Sequence, residues 1–404
     1  MNPALFASRL DNIAPFHVME MSKMAAELEA QGRSIIRMGI GEPDFTAPQP
    51  VIDAATLAMN SGELRYTSAT GLPALREAIA QYYADRFGVD VAPSRIVITS
   101  GASAALLLVC AALLEKGTEV LMPDPCYPCN RHFVAAFDGV ATMIPCGAEQ
   151  RFQLTADRVE AHWRDATRGV LLASPSNPTG TSIAPDELKK IHQVVQQRGG
   201  FTIVDEIYQG LSYEEPGHKP FSALSIDQNI IVINSFSKYF NMTGWRLGWV
   251  VLPPSLIAPI EKLAQHLFIC ASSLAQRAAL ACFAPETLAI YESRKAEFKR
   301  RRDYLVPALQ RLGFIVPVVP DGAFYVYADC SALDHDADRL SKEILQHTGV
   351  VIVPGLDFGP STARHFVRIS YATSMHTLET AIERLSIFFA QRVKSGITVS
   401  ELPL

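Results

Sequence analysis

One lysine in this sequence is placed for covalent chemistry. Lys238 closes Ser235-Phe236-Ser237-Lys238, directly after the apolar run Ile230–Asn234. Burial and neighbouring positive charge lower an amine's pKa, and the neutral amine attacks an aldehyde. Taken alone, the same lysine also reads as a surface residue at a strand-to-helix turn. Its neighbours shift the balance. Arg246 stands eight residues on, in Thr243-Gly244-Trp245-Arg246. With Ser235 and Ser237 it offers hydroxyl donors and a guanidinium fork that suit a phosphate. Gly101, Ala102 and Ser103 open a long apolar stretch. If that stretch is a helix, its free N–H groups and dipole favour an anion by roughly 0.3–2 kcal/mol. Ser103 by itself would be an ordinary helix cap.

Three further positions extend the chemistry. Asp205 ends the run Phe201–Val204, where its carboxylate can keep a heteroaromatic nitrogen protonated. Asn177 and Tyr208 fall where both reach a phenolic oxygen beside an aldehyde. Tyr127 is a flat ring able to stack on a cofactor, although loop or core packing explains it equally well. An amine, a phosphate cup and a carboxylate for a ring nitrogen are what pyridoxal phosphate requires if its ring is to act as an electron sink.

The elements that must position these groups are legible as alternating apolar runs and helical stretches. Strands are expected at Arg95–Thr99, Glu119–Met122, Val140–Ile144, Gly169–Ala173, Phe201–Val204, Ile230–Asn234 and Leu247–Leu252. Continuous apolar runs separated by helices predict an α/β fold, a mostly parallel seven-stranded sheet covered by helices on both faces. Ligands bind beyond the carboxyl ends of such strands. The candidate residues cluster there, just after the runs.

Towards the amino terminus, Val18, Met21, Ala25 and Leu28 predict a helix that starts near Pro15 and ends at Gly32, followed by a strand over Ser34–Ile40. The last third changes character. A long charged helix is expected over Leu288–Leu312, with Pro307 as a candidate kink and Arg300-Arg301-Arg302 on a solvated face. Strands are expected at Phe314–Val319, Ala323–Ala328, Val350–Val353 and Phe366–Ser370, and helices near Ala337–His347 and after Met375. This predicts a smaller α+β domain over 286–404, beside a large domain over 46–285 and an arm and helix over 1–45.

Composition excludes several classes. Of 404 residues, 49% are hydrophobic and 19% charged, which rules out intrinsic disorder. A net charge of −5 without a long basic run argues against nucleic acid. The longest apolar stretch, Ala102–Leu114, is shorter than the roughly 18 residues of a spanning helix. The amino terminus lacks the basic and apolar regions of a secretory signal. Seven scattered cysteines suggest free thiols in a reducing cytoplasm. Cys126 and Cys129 form a CxxC, but no second ligand pair lies at short spacing, so no metal is expected.

Ser174-Pro175-Ser176-Asn177-Pro178-Thr179-Gly180, Asp205-Glu206-Ile207-Tyr208, and Ser235-Phe236-Ser237-Lys238 with Arg246 resemble, in order and spacing, the class I/II aminotransferases, which are pyridoxal phosphate enzymes of fold type I. Gly41-Glu42-Pro43-Asp44-Phe45, Tyr66 with Gly71-Leu72-Pro73-Ala74-Leu75-Arg76, and Phe366-Val367-Arg368-Ile369-Ser370 also look like blocks of that family. The resemblance spans nearly the whole chain. It implies that Lys238 binds the cofactor aldehyde and then shuttles a proton. It assigns Asp205 to the ring nitrogen, Asn177 and Tyr208 to the ring oxygen, and Tyr127 to the ring face. Gly101, Ala102, Ser103, Ser235, Ser237 and Arg246 would hold the phosphate, with Tyr66 contributed by the other subunit of a homodimer. Arg368 would clamp the substrate α-carboxylate, aided by Asn177 and the Gly41 backbone.

The implied reaction moves an amino group from an L-amino acid to a 2-oxo acid such as 2-oxoglutarate or pyruvate. Relatives that select acidic donors by one route carry a Lys where Ser103 stands; its absence weakens the acidic-donor reading without excluding it, since another cation could serve, and the residues at 16–19 favour neutral or aromatic donors. Phe16, His17, Val18 and Met19 are candidates for the side-chain pocket, although His17 reads more simply as a helix start. A lyase or decarboxylase on the same fold is the alternative. A regulator would need a DNA-binding segment, and the short arm is not basic.

Overall fold

The computed structural model describes residues 6–15, 17–213 and 220–394. Phe16 lies outside them. Twelve strands are described: β1 (Ile36–Arg37), β2 (Ile96–Thr99), β3 (Glu119–Asp124), β4 (Val140–Pro145), β5 (Thr167–Ala173), β6 (Phe201–Asp205), β7 (Ile231–Ser235), β8 (Gly248–Val251), β9 (Tyr325–Asp329), β10 (Val350–Val351), β11 (Val353–Pro354) and β12 (Phe366–Ser370).

The seven strands β2 to β8 form one sheet in the order β2-β8-β7-β6-β5-β3-β4. Its pairs are parallel except those of β8, which runs antiparallel to both β7 and β2. The apolar runs are continuous because neighbouring residues feed different cores. Val97, Val120, Leu171, Ile203, Ile233 and Val250 pack with the helix Ala102–Leu113. Ile96, Leu121, Val170, Val204, Val232 and Trp249 belong to the larger core on the other face. The inverted strand has a direct consequence for chemistry. Its beginning lies at the edge where the parallel strands end, so the connection 236–247 stays at that edge.

A second sheet, β11-β12-β9, is antiparallel, and Arg368 sits on its central strand opposite Tyr327 and Val353. The predicted strand over Ser34–Ile40 shortens to β1, which pairs with β10. Val350–Val353 splits into β10 and β11. Phe314–Val319 is not a strand, and only Ile315 bridges to Asp329. Pro317 and Pro320 remove donors there, which limits pairing.

The helix Pro285–Arg311 runs on through Pro307. The arginine triplet is not a uniformly solvated face. Arg300 is exposed and pairs with Glu297. Arg301 is buried, bonds Asp44 at 2.8 Å and lies over the rings of Phe45 and Phe298. Arg302 covers Tyr213 and donates to the Pro320 carbonyl. Arg301 therefore anchors the long helix to the 44–45 segment, next to the site, while Arg302 ties it to Tyr213 and Pro320.

Candidate active site

A cavity of about 360 Å³ opens at this edge of the large sheet. Its wall contains Gly41, Ala102, Ser103, Tyr127, Asn177, Asp205, Tyr208, Ser235, Ser237, Lys238, Arg246 and Arg368. These residues come from segments spread over most of the chain, and the topology gathers them. Gly101 adjoins the group without lining it. Tyr66 lies outside the cavity and is 81% exposed.

Lys238 follows β7 by three residues and is half-buried. Its Nζ donates to the Gly41 carbonyl at 2.5 Å and stands 5.8 Å from the centre of the Tyr208 ring. Burial pushes its pKa down from 10.5 to about 8; nearby Arg368 and Arg246 push the same way, while Glu42 and Asp205 oppose. The loop is held locally. Asn241, in a left-handed conformation at φ 52°, donates from Nδ2 to the Lys238 carbonyl at 2.9 Å. Arg294 of the long helix donates to Asn241 Oδ1 at 2.7 Å and to the Thr46 carbonyl at 2.7 Å. One guanidinium thus links the lysine loop to the segment that receives the lysine amine.

Asp205 is the last residue of β6 and is buried. Its Oδ1 accepts the Ile207 N–H at 3.0 Å, and its other oxygen takes no hydrogen bond from the described residues. Burial raises its pKa to about 6. A buried carboxylate with one free oxygen facing a cavity suits a cationic N–H.

The anion cup has a steric signature. Gly101 caps the helix Ala102–Leu113 at φ 83°, and a Cβ there would lie 2.8 Å from Arg246 Nη2. Arg246 also has positive φ and donates to Ser237 Oγ at 3.5 Å and to the Thr243 carbonyl at 3.0 Å. Ser235 Oγ accepts the Ser237 N–H at 3.0 Å and lies within hydrogen-bond distance of both the Leu247 carbonyl, at 3.1 Å, and Ser237 Oγ, at 3.0 Å, which ties the two serines to the start of β8. Helix N–H groups, a hydroxyl and an arginine converging on one spot fit a phosphate.

Across the cavity, Arg368 is buried. Its Nη1 donates to Asn177 Oδ1 at 2.8 Å and its Nη2 to the Gly39 carbonyl at 2.7 Å, while Nε has no partner among the described residues. It lies 4.6 Å from the Tyr325 ring centre and 4.9 Å from that of Phe358. An under-satisfied buried guanidinium at a cavity wall fits a carboxylate.

The amino-terminal helix contributes less than expected. Its first N–H groups, of His17 and Val18, donate to Asp357 at 2.8 Å each. Val18 lines the cavity, whereas His17 and Met19 are exposed. Cys126 is buried beside Met143, with its thiol pushed up to about 12 by burial, and Cys129 adjoins the Tyr127 hydroxyl. Residues overlooked in the sequence also line the cavity, notably Ile40, Glu42, Phe133, Thr243 and Tyr325. For Tyr325 a signal existed: strand alternation in Ala323–Ala328 puts Tyr325 and Tyr327 on one face.

The donor set fits pyridoxal phosphate: an amine for the aldehyde, a cup for the phosphate and a carboxylate for the ring nitrogen. The lysine's pKa gives a direct expectation. The rate at which cofactor-free protein covalently captures added pyridoxal phosphate should rise nearly tenfold per pH unit below about 8 and level off above it. Stopped-flow absorbance measures this, and a profile flat from pH 6 to 9 would contradict the assignment of Lys238.

Residues 33–385 match the family model described as aminotransferase class I and II. Valine–pyruvate aminotransferase of Mycobacterium tuberculosis is 39% identical, covering 92% of this chain and 96% of its own length. Aspartate aminotransferase of Geobacillus stearothermophilus is 34% identical over 96% of this chain and 99% of its own. A crystal structure of an aminotransferase from Mycobacterium tuberculosis superposes with a TM-score of 0.91 at 39% identity, covering 96% of this chain and 99% of the other.

Proposed function

Because the chain belongs to the class I and II aminotransferases and is itself an aminotransferase, we propose that its donor is a neutral or aromatic L-amino acid, with pyridoxal phosphate held in the cavity described. The observation that carries the donor class is the inventory of charge. The cations on the cavity wall, among the described residues, are Lys238, Arg246 and Arg368. Each is matched to a task by its surroundings: the aldehyde, the phosphate and the α-carboxylate. Glu42 adds a negative charge to the same wall, and Val18, Ile40 and Phe133 add apolar surface. A second carboxylate on the substrate would meet Glu42 without a free cation. The same reasoning favours a monocarboxylate acceptor such as pyruvate over 2-oxoglutarate. A relative named for valine and pyruvate supports this reading, and one named for aspartate opposes it.

When bound, pyridoxal phosphate supplies an aldehyde and an electron-accepting ring. The rest falls to the chain. Ser237, Arg246 and the helix N–H groups hold the phosphate, and Tyr127 covers the ring face. Asp205 keeps a proton on the ring nitrogen, and Asn177 and Tyr208 hold the ring oxygen. Arg368 forks the substrate carboxylate and so sets the direction of the Cα–H bond. Lys238 Nζ takes the Cα proton and later returns it. A homodimer belongs to the same proposal. It is supported by the exposure of Tyr66, which would reach the partner's phosphate cup.

A half-reaction screen tests the donor class. Each amino acid is mixed with the loaded enzyme without oxo acid, and the bound-cofactor absorbance is followed. Valine, methionine or phenylalanine should convert the cofactor at least about tenfold faster than aspartate or glutamate, the size of one well-placed charge contact. The reverse order would overturn the donor class. Release of ammonia, carbon dioxide or sulfide with recovery of absorbance would indicate the lyase or decarboxylase.

A further inference from the structure

Tyr325 stands between two parts of the site that perform different tasks. Its hydroxyl is 2.8 Å from that of Tyr208, and the two rings meet edge-on with centres 5.7 Å apart. The face of the same ring carries the Arg368 guanidinium at 4.6 Å. Tyr325 is fully buried as a residue yet borders the cavity. The fold makes room for its hydroxyl: a Cβ on Gly41 would come within 2.7 Å of that oxygen.

The hydrogens can be counted. Two hydroxyls share one contact, so one of them donates and the other keeps its hydrogen for something else. The Gly41 carbonyl nearby accepts from Lys238, and among the described residues Tyr325 Oη bonds only Tyr208. If Tyr208 donates to Tyr325, it faces the cavity as an acceptor alone. If Tyr325 donates, the Tyr208 hydrogen is released towards the cavity. An acceptor oxygen on a bound ring selects the second arrangement, and hydrogen bonds in such a chain strengthen one another.

We propose that Tyr325 is a positioning residue that joins the carboxylate clamp to the cofactor's ring oxygen: its hydroxyl donates to Tyr208 so that Tyr208 donates onward, and its ring face orients Arg368. The proposal rests on the assignment of Tyr208 to the ring oxygen. Substrate carboxylate and cofactor are thereby held against one rigid aromatic wall.

The test reads the pH midpoint of the bound-cofactor absorbance change in the holoenzyme. Tyr208 donation favours the ionised ring oxygen, so weakening it raises the midpoint. Tyr325→Phe should raise the midpoint by roughly 0.3–0.6 pH unit, the share that a second bond contributes to a chain. Tyr208→Phe should raise it further, and adding Tyr325→Phe to that variant should change nothing more. Affinity for the unreactive carboxylate 3-methylbutanoate should be unchanged in Tyr325→Phe, which keeps the ring. It should fall roughly tenfold in Tyr325→Leu, which loses the cation–π contact.

An unmoved midpoint in Tyr325→Phe, while Tyr208→Phe shifts, overturns the relay and leaves the Tyr208 assignment standing. So does a Tyr325→Phe shift that persists in the Tyr208→Phe background. A Tyr208→Phe variant with no shift removes the Tyr208 assignment and the relay with it. Unchanged carboxylate affinity in Tyr325→Leu overturns the role towards Arg368. The circular-dichroism spectrum of each variant confirms folding.

Discussion

Lys238→Ala is expected to lower the donor half-reaction by at least about 10⁴-fold, because one side chain serves as both the covalent attachment and the proton shuttle. Single-turnover absorbance measures the loss, and dialysis should strip the cofactor from the variant. Turnover within tenfold of wild type would sink the mechanism. The same substitution should stabilise the cofactor-free protein. The lysine's pKa falls from 10.5 to about 8 on folding because burial disfavours its charge. The unfolded chain binds the extra proton, so the penalty is full below about 8 and fades as pH rises towards 10.5. The thermal midpoint of Lys238→Ala should therefore exceed that of wild type at pH 7, with the gain shrinking across that window.

Asp205→Asn should cost on the order of 10³-fold in the same half-reaction, the scale seen when one aimed electrostatic partner is removed. Glu206 cannot take over. It faces a different cavity, and its carboxylate accepts from Ala223 N at 2.6 Å and Ser222 Oγ at 3.0 Å. Stability runs the other way once more. Burial lifts the Asp205 pKa from 3.8 to about 6, so ionisation penalises the cofactor-free fold fully above about pH 6 and not below about 3.8. Asp205→Asn should melt higher than wild type at pH 8 and lose that advantage as pH falls through 6. Wild-type turnover in this variant would remove the role at the ring nitrogen; a lower melting point at pH 8 would contradict the burial argument.

Much of the site was legible because it lies where apolar runs stop. Asp205 and Ser235 are each the last residue of a mostly apolar strand. Long-range pairing was harder to read. Arg301 looks like one of three equivalent basic residues until Asp44, distant in sequence, is folded against it. The failed strand at Phe314–Val319 shows the complementary limit, since apolar content there is overruled by Pro317 within the run and Pro320 just after it. Strand alternation puts Tyr325 on one face with Tyr327, but its hydroxyl contact to Tyr208 and its ring contact to Arg368 join residues distant in sequence, so its place in the site was overlooked.

The connection 236–247, which carries both Lys238 and Arg246, is a loop only by topology. Phe236, Tyr239, Phe240 and Met242 are buried, and Phe236 packs against Phe240 and Trp249 with ring centres 5.0 Å apart in each case. Surface loops usually absorb insertions and sequence drift. This one has no slack, because lengthening it would expel aromatic side chains from the interior as well as misplace the amine. Diversification of such an enzyme towards new substrates is thus channelled away from this connection, towards side chains such as Val18, Ile40 and Phe133, which line the cavity without bonding the lysine amine.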